Sequence, residues 1–344
     1  MFRAAFLGLL ALAVSPSSAS AQTPEPAPFC ITAWYPSSQH RGGYETLMTH
    51  SDVIDVVNPF WYTPNRDGTL RAGPGAENAV EIAAWREAGM PIIPSLHAGD
   101  PALITDPALR ETHIAAIVDL ARAHDYDGID VDYEGFPVET RDDFSLFIEQ
   151  LAGALHADGR VLSIAVHAKT DDQGAWEGPA AQDWPRLSAA VDVFAIMTYD
   201  FGGGNAPPMP IGPTPWVIDV LDYAATITDL RKVRMGLHLY GYQWMRAEPP
   251  ASPITYEDTQ RLIDAFGPEV QRDPSDLEPF VDFTPEDLPR RMIYYADAES
   301  VRFKLGRVLD AHPELGGIAI WGLGGEDPAV WEVLRELRPA PCGG

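Results

Sequence analysis

Asp127-Gly128-Ile129-Asp130-Val131-Asp132-Tyr133-Glu134 sets acidic and apolar residues in strict alternation. Successive side chains of a strand point to opposite faces, so Asp130, Asp132 and Glu134 share one face while Ile129, Val131 and Tyr133 share the other. Within a barrel one face is the interior and the other packs on helices. The apolar set suits the helix side, which leaves three carboxylates pointing inward. Like charges buried in a row are expensive unless they share protons or hydrogen bonds. Some of these groups are therefore expected to hold a proton near neutral pH, as a general acid must. Glu134 lies furthest along the strand, nearest the C-terminal mouth where barrel chemistry occurs. A calcium loop does not fit, because counting back from Gly128 and Glu134 puts Ala123 at its first position. No histidine lies within the strand to complete a zinc set. A solvated acidic face conflicts with the interleaved Ile and Val. No metal and no cofactor are expected.

Outward from this stretch, short apolar runs recur at Phe29–Trp34, Val53–Phe60, Pro91–Leu96, Val161–Val166, Val191–Met197, Val233–Leu239 and Gly317–Trp321. Each reads as a fully buried parallel strand. Helical patterns lie between most of them. Asp106-Pro107 is an N-cap followed by proline at the first helical position, and Asp327-Pro328 opens the last helix in the same way. Phe144, Phe147, Leu151 and Leu155 mark another helix. Eight strands alternating with helices predict an α/β fold, a (β/α)8 TIM barrel. An open doubly wound sheet would carry a glycine-rich loop after its first strand, and none is present. The interval from Leu239 to Gly317 is too long for one helix, so a small α+β insertion over about 245–291 is expected between strands seven and eight.

The chain has 344 residues, 50 Asp plus Glu against 24 Lys plus Arg, and a formal net charge of −26. Such a surface excludes nucleic acid and anionic membranes as partners and is neutral about uncharged substrates. Residues 1–21 read as a signal peptide: Phe2 and Arg3, an apolar run from Ala4 to Val14, then Ala19-Ser20-Ala21 with cleavage after Ala21. The expected organisation is a Pro-rich leader at 22–28, a barrel at 29–338 and a tail at 339–344. A secreted or periplasmic monomer, free of the membrane once the signal is removed, follows. In that oxidising setting Cys30 and Cys342 can pair and staple the two ends together, or remain as two thiols on fraying termini.

The acidic strand also resembles the fourth-strand signature of glycoside hydrolase family 18, the chitinase-like enzymes. Met197-Thr198-Tyr199-Asp200 resembles that family's sixth strand. Gly236-Leu237 with Tyr240-Gly241-Tyr242 and Trp244 resembles the seventh, and Gly316-Gly317-Ile318-Ala319-Ile320-Trp321 the eighth. Pro94-Ser95-Leu96-His97-Ala98-Gly99 departs from the Ser-x-Gly-Gly of many chitinases. The overall layout is closer to the bacterial branch that includes spore-cortex lytic enzymes.

The resemblance implies a glycosidase acting on N-acetylglucosamine-containing glycans, with retention and by substrate assistance. Glu134 would be general acid and base, Asp132 would orient the acetamido group, Asp130 would share a proton with Asp132, and Tyr199 would donate to the acetamido carbonyl. Trp321 would floor the sugar pocket, and Asp200, Met197, Tyr240, Trp34, Trp61 and Trp244 would contact substrate. A non-catalytic glycan-binding protein on the same barrel is the alternative. Trp176, Trp184 and Trp216 sit near loops that can line outer subsites. His97 and His167 end strands, where a structural role is the expected one, and Lys169 can meet an acidic or acetyl group. Chitin is neutral and peptidoglycan is not. The net charge favours the first and the family branch the second.

Overall fold

A computed structural model describes residues 28–36 and 42–342 of the chain. The expected signal peptide and all but the last residue of the leader lie outside the described residues. The eight apolar runs form strands Cys30–Tyr35, Val56–Pro64, Ser95–His97, Gly128–Asp132, Val161–His167, Val193–Met197, Val233–His238 and Gly317–Trp321. All neighbouring pairs are parallel, and the first strand pairs with both the second and the eighth, so the sheet closes into an eight-stranded barrel. The fold is the (β/α)8 barrel. The third strand is shorter than the Pro91–Leu96 run suggested; Ile92 joins the sheet only as an isolated bridge to Val57.

Alternation along each strand sorts residues between two layers. Ile129, Val131, Ile164, Ile196, Leu237 and Ile320 face outward into one continuous core with the helices. The helix Arg141–Ala157 adds Phe144, Phe147, Leu151 and Leu155, all buried, because residues three and four apart share a helix face. Asp106 caps the helix Pro107–His124 by accepting from the Ala108 and Leu109 amides. Asp327 does not cap the last helix directly. It accepts from the Ala329 amide in a turn, and the helix spans Val330–Leu337.

The insertion begins and ends beyond the expected 245–291. An antiparallel five-stranded sheet starts at Tyr240–Met245, directly after the seventh barrel strand, and its last member is Arg291–Tyr295. The helix Tyr256–Phe266 packs beside it, capped by Thr255. The sheet grips the loop after the sixth barrel strand: the Ala251 amide donates to Gly204 O, and the Trp244 indole to Ala206 O at 2.8 Å.

The two ends of the described chain meet. The Phe29 amide donates to Ala340 O, and Cys30 and Cys342 form a disulfide with their Cα atoms 4.7 Å apart across 312 positions of sequence. A cross-link over so long a loop restricts the unfolded chain strongly. Cys342→Ser is expected to lower unfolding free energy by about 2–4 kcal/mol. Denaturant titration checks this, and an unchanged midpoint would show that barrel closure owes nothing to the bond.

Candidate active site

The inward layer of the barrel is small and polar. Ser95, Asp130 and Ser163 are register partners on strands three, four and five. Asp130 is fully buried, and its Oδ2 accepts from the Trp34 indole at 2.9 Å and from Ser95 Oγ at 2.6 Å. One step nearer the mouth, Asp132 is buried beside His97, its neighbour in register. Among the described residues, Asp130 Oδ1 and Asp132 Oδ1 have no hydrogen-bond partner. Burial raises the proton affinity of Asp130. It raises that of Asp132 much further, because the charges of Glu134 and Asp130 add to desolvation.

Glu134 ends the row at the mouth. Solvent reaches its carboxyl, with the side chain 47% exposed, yet protein surrounds it on most sides. Desolvation and then the Asp200 charge raise its affinity for a proton. The Tyr199 phenol is held well above its ordinary range by burial and by the charges of Asp132, Asp200, Glu134 and Asp130. Gly236 makes room for that ring: a Cβ there would stand 2.8 Å from Tyr199 Cε1. Asp200 adopts a left-handed backbone with φ of 55° and accepts from the Tyr240 hydroxyl at 2.6 Å. The residues of this mouth thus comprise a carboxyl whose proton affinity is raised, buried carboxyls behind it and a neutral phenol.

Trp34, Phe60, Tyr199 and Trp321 cluster over Ala165, Ala195 and Ala319, whose small side chains leave the space above them open. The Trp34 and Trp321 rings meet edge to face at 6.3 Å, and Phe60 stacks on His97 at 4.1 Å. Next to this cluster, a cleft of about 570 Å³ is lined by Glu134, His167, Met197, Tyr199, Asp200 and Trp176 among others.

Several expected contacts lie elsewhere. Trp61 points out of the barrel into the helix layer, 5.7 Å from Trp85, because it follows the inward Phe60 on an alternating strand. Trp244 is buried within the insertion, where it supports the loop that carries Asp200 without facing substrate space. Tyr240 is buried too and acts on Asp200. Lys169 is not free for a substrate: its ammonium donates to the carbonyls of Asp172, Pro179 and Gln182. Trp184 packs in the core, whereas Trp176 and Trp216 line the cleft. His167, expected to be structural, stands with Nδ1 3.4 Å from Glu134 Oε2. Its inward phase is readable from Ser163, four positions earlier.

Known proteins resemble this chain in sequence and fold. A family model described as glycosyl hydrolases family 18 matches residues 98–326. The cortical fragment-lytic enzyme of Bacillus subtilis (strain 168) is 26% identical over 298 residues, which cover 83% of this chain and 68% of that protein. A chitinase structure from Chromobacterium violaceum superposes with a TM-score of 0.83 at 26% identity, covering 90% of this chain and 98% of that one. The spore cortex-lytic enzyme of Bacillus megaterium shares the fold, with a TM-score of 0.83 at 20% identity, covering 94% and 77% of the two chains.

The carboxyl row has a cost that pH reveals. A carboxyl whose proton affinity is raised by folding stabilises the native state fully below the unfolded pKa of about 4. It loses that contribution as pH rises through the folded pKa. Asp132→Asn removes the ionisation. The variant is expected to match or exceed the native protein in melting temperature at pH 8 and to lose less stability between pH 5 and pH 8. Parallel slopes for the two proteins would show that Asp132 is not ionising at the fold's expense.

Proposed function

The chain belongs to glycosyl hydrolases family 18, so it is a glycosidase, and we propose that it hydrolyses β-linked N-acetylglucosamine-containing glycans with retention, using Glu134 as general acid and base. The observation that carries this reading is the inward row Asp130, Asp132 and Glu134 at the mouth of the barrel, where burial and neighbouring acidic charges raise the proton affinity of each carboxyl. Glu134 gives its proton to the glycosidic oxygen as the bond to the anomeric carbon breaks. The substrate's own acetamido oxygen closes on that carbon, and Asp132 accepts the acetamido N–H and turns the group into line. Tyr199, a donor held neutral by its surroundings, faces the developing charge. Glu134 then takes a proton from water, which opens the ring intermediate.

Trp321 offers the sugar its floor, and Met197 and Asp200 its flank, in keeping with their places around the mouth and cleft, whereas Trp34, expected to contact substrate, is buried beneath them with its indole on Asp130. Tyr240 serves through its bond to Asp200. Export to a secreted or periplasmic location accords with the disulfide, which persists in oxidising compartments. No helix among the described residues is long and apolar enough to cross a membrane. Chitin-type glycans and peptidoglycan both present the required acetamido group, and the relatives' names include enzymes of both kinds.

Glu134→Gln should keep its fold by circular dichroism and lose at least about a thousandfold in kcat on N-acetylglucosamine oligomers and on purified peptidoglycan, since the acid contributes about 10²–10⁴ and the same group also activates water. Hydrolysis at the native rate would overturn the assignment. Binding without turnover by the native protein would make it a glycan-binding member of the family. Substrate assistance is checked separately with a glucose oligomer lacking the 2-acetamido group, which should be cleaved at no detectable rate.

A further inference from the structure

His167 ends the fifth barrel strand on its inward face. Its Nε2 accepts from the Gly135 amide at 3.3 Å, so the proton of the neutral ring resides on Nδ1. Nδ1 faces Glu134 Oε2 at 3.4 Å. Burial holds the ring's pKa down at about 4, so it is neutral wherever the carboxyls titrate above that value. The ring is fixed on its other sides. Its backbone amide donates to Gln182 Oε1 at 2.8 Å, and the Trp176 ring stands edge to face with it at 4.6 Å. Trp176 in turn fits only because position 178 lacks a Cβ, which would come within 2.3 Å of the indole. The cation nearest in sequence, Lys169, is occupied by backbone carbonyls. The other titratable groups around Glu134 are Asp132 on its own strand and Tyr199 and Asp200 after the sixth strand. None of these is a cation, and His167 Nδ1 stands 3.4 Å from this carboxyl.

We propose that His167 is a positioning residue for Glu134, donating its Nδ1–H to the carboxylate formed when Glu134 protonates the leaving oxygen. The proposal rests on Glu134 being the acid and base of the reaction above. In the first step the proton moves from Glu134 to the glycosidic oxygen as the C–O bond breaks and the acetamido oxygen bonds to the anomeric carbon. The new carboxylate charge is met by the fixed N–H, and the 3.4 Å separation closes as the site fills. In the second step water gives its proton to the same carboxylate as its oxygen bonds to the anomeric carbon and the bond from that carbon to the acetamido oxygen breaks. His167 neither gains nor loses a proton. Its donor favours the ionised form, so it lowers the proton affinity that burial and Asp200 raise.

The test is the pH profile of kcat/KM on N-acetylglucosamine oligomers for the native protein, His167→Leu, His167→Asn and Glu134→Gln. Leu removes the donor, so the alkaline limb should move up by about one pH unit and kcat should fall at least about tenfold, with KM within about twofold. Asn returns a donor near the Nδ1 position and should bring the limb back to within about 0.3 units of the native value. If Leu does not fold, His167→Gln replaces it, since its amide sits on the Nε2 side and should leave the limb shifted. Native limbs in the Leu or Gln variant, or equal shifts in Asn and Leu, would overturn the role of His167 while leaving that of Glu134 intact. Undiminished hydrolysis by Glu134→Gln would instead overturn the reading beneath it.

Discussion

Two bonds to one buried oxygen organise this barrel. Asp130 Oδ2 takes the Trp34 indole N–H and the Ser95 hydroxyl, and so a carboxyl sits in an interior that most barrels fill with branched aliphatic chains. Once a carboxyl is there, its neighbours must be small or able to hydrogen-bond, and Ser95, Ser163, Ala165 and Ala195 are. The aliphatic mass is displaced outward, between strands and helices, where one continuous core forms. Stability and chemistry therefore occupy separate layers of the same strands. The outer layer supplies burial at roughly 25 cal/mol per Å², and the inner layer tolerates unpaired polar atoms.

The insertion contributes to the site without entering it. Glu278 accepts from His238 Nε2 at 2.6 Å and from the Ile211 amide at 2.8 Å, which joins the insertion, the seventh strand and the loop after the sixth. Burial pushes Glu278 up, but His238 and Lys304 outweigh it and keep the carboxyl below its ordinary range. Such a buried cluster is a poor source of net stability, and removing one partner from it is costly. Its other end is the loop where Ile211 O receives the Phe201 amide, next to Asp200. Asp200 is thus held from behind by Tyr240 and from its own loop by this cluster.

Much of this was legible as text. Period-two alternation identified the carboxyl row, and short apolar runs identified the eight strands, because a parallel strand buried on both faces reads as nearly continuous apolar sequence. Alternation also separates the inward Phe60 from Trp61, which was expected to contact substrate and instead packs in the helix layer. Trp244 and Lys169 illustrate a different limit. Each looks like a ligand contact by residue type, yet Trp244 is consumed by a carbonyl of a distant loop and Lys169 by carbonyls of the segment that follows it. Loop carbonyls leave no mark in a one-dimensional string. His167 was reachable by phase from Ser163, but its partner is an acid two residues past the end of the neighbouring strand, and only the folded barrel brings them face to face.

The bond between Cys30 and Cys342 has a topological side. Nearly the whole described chain lies between those two sulfurs, so residues 30–342 are covalently a ring. A single cut by a protease in any loop of the barrel would open the ring without releasing a fragment. Both pieces would stay tethered at the junction of the first strand and the last helix, and the parallel ladder could re-form around the break. Survival of one nick thereby becomes a property of connectivity and not of loop sequence.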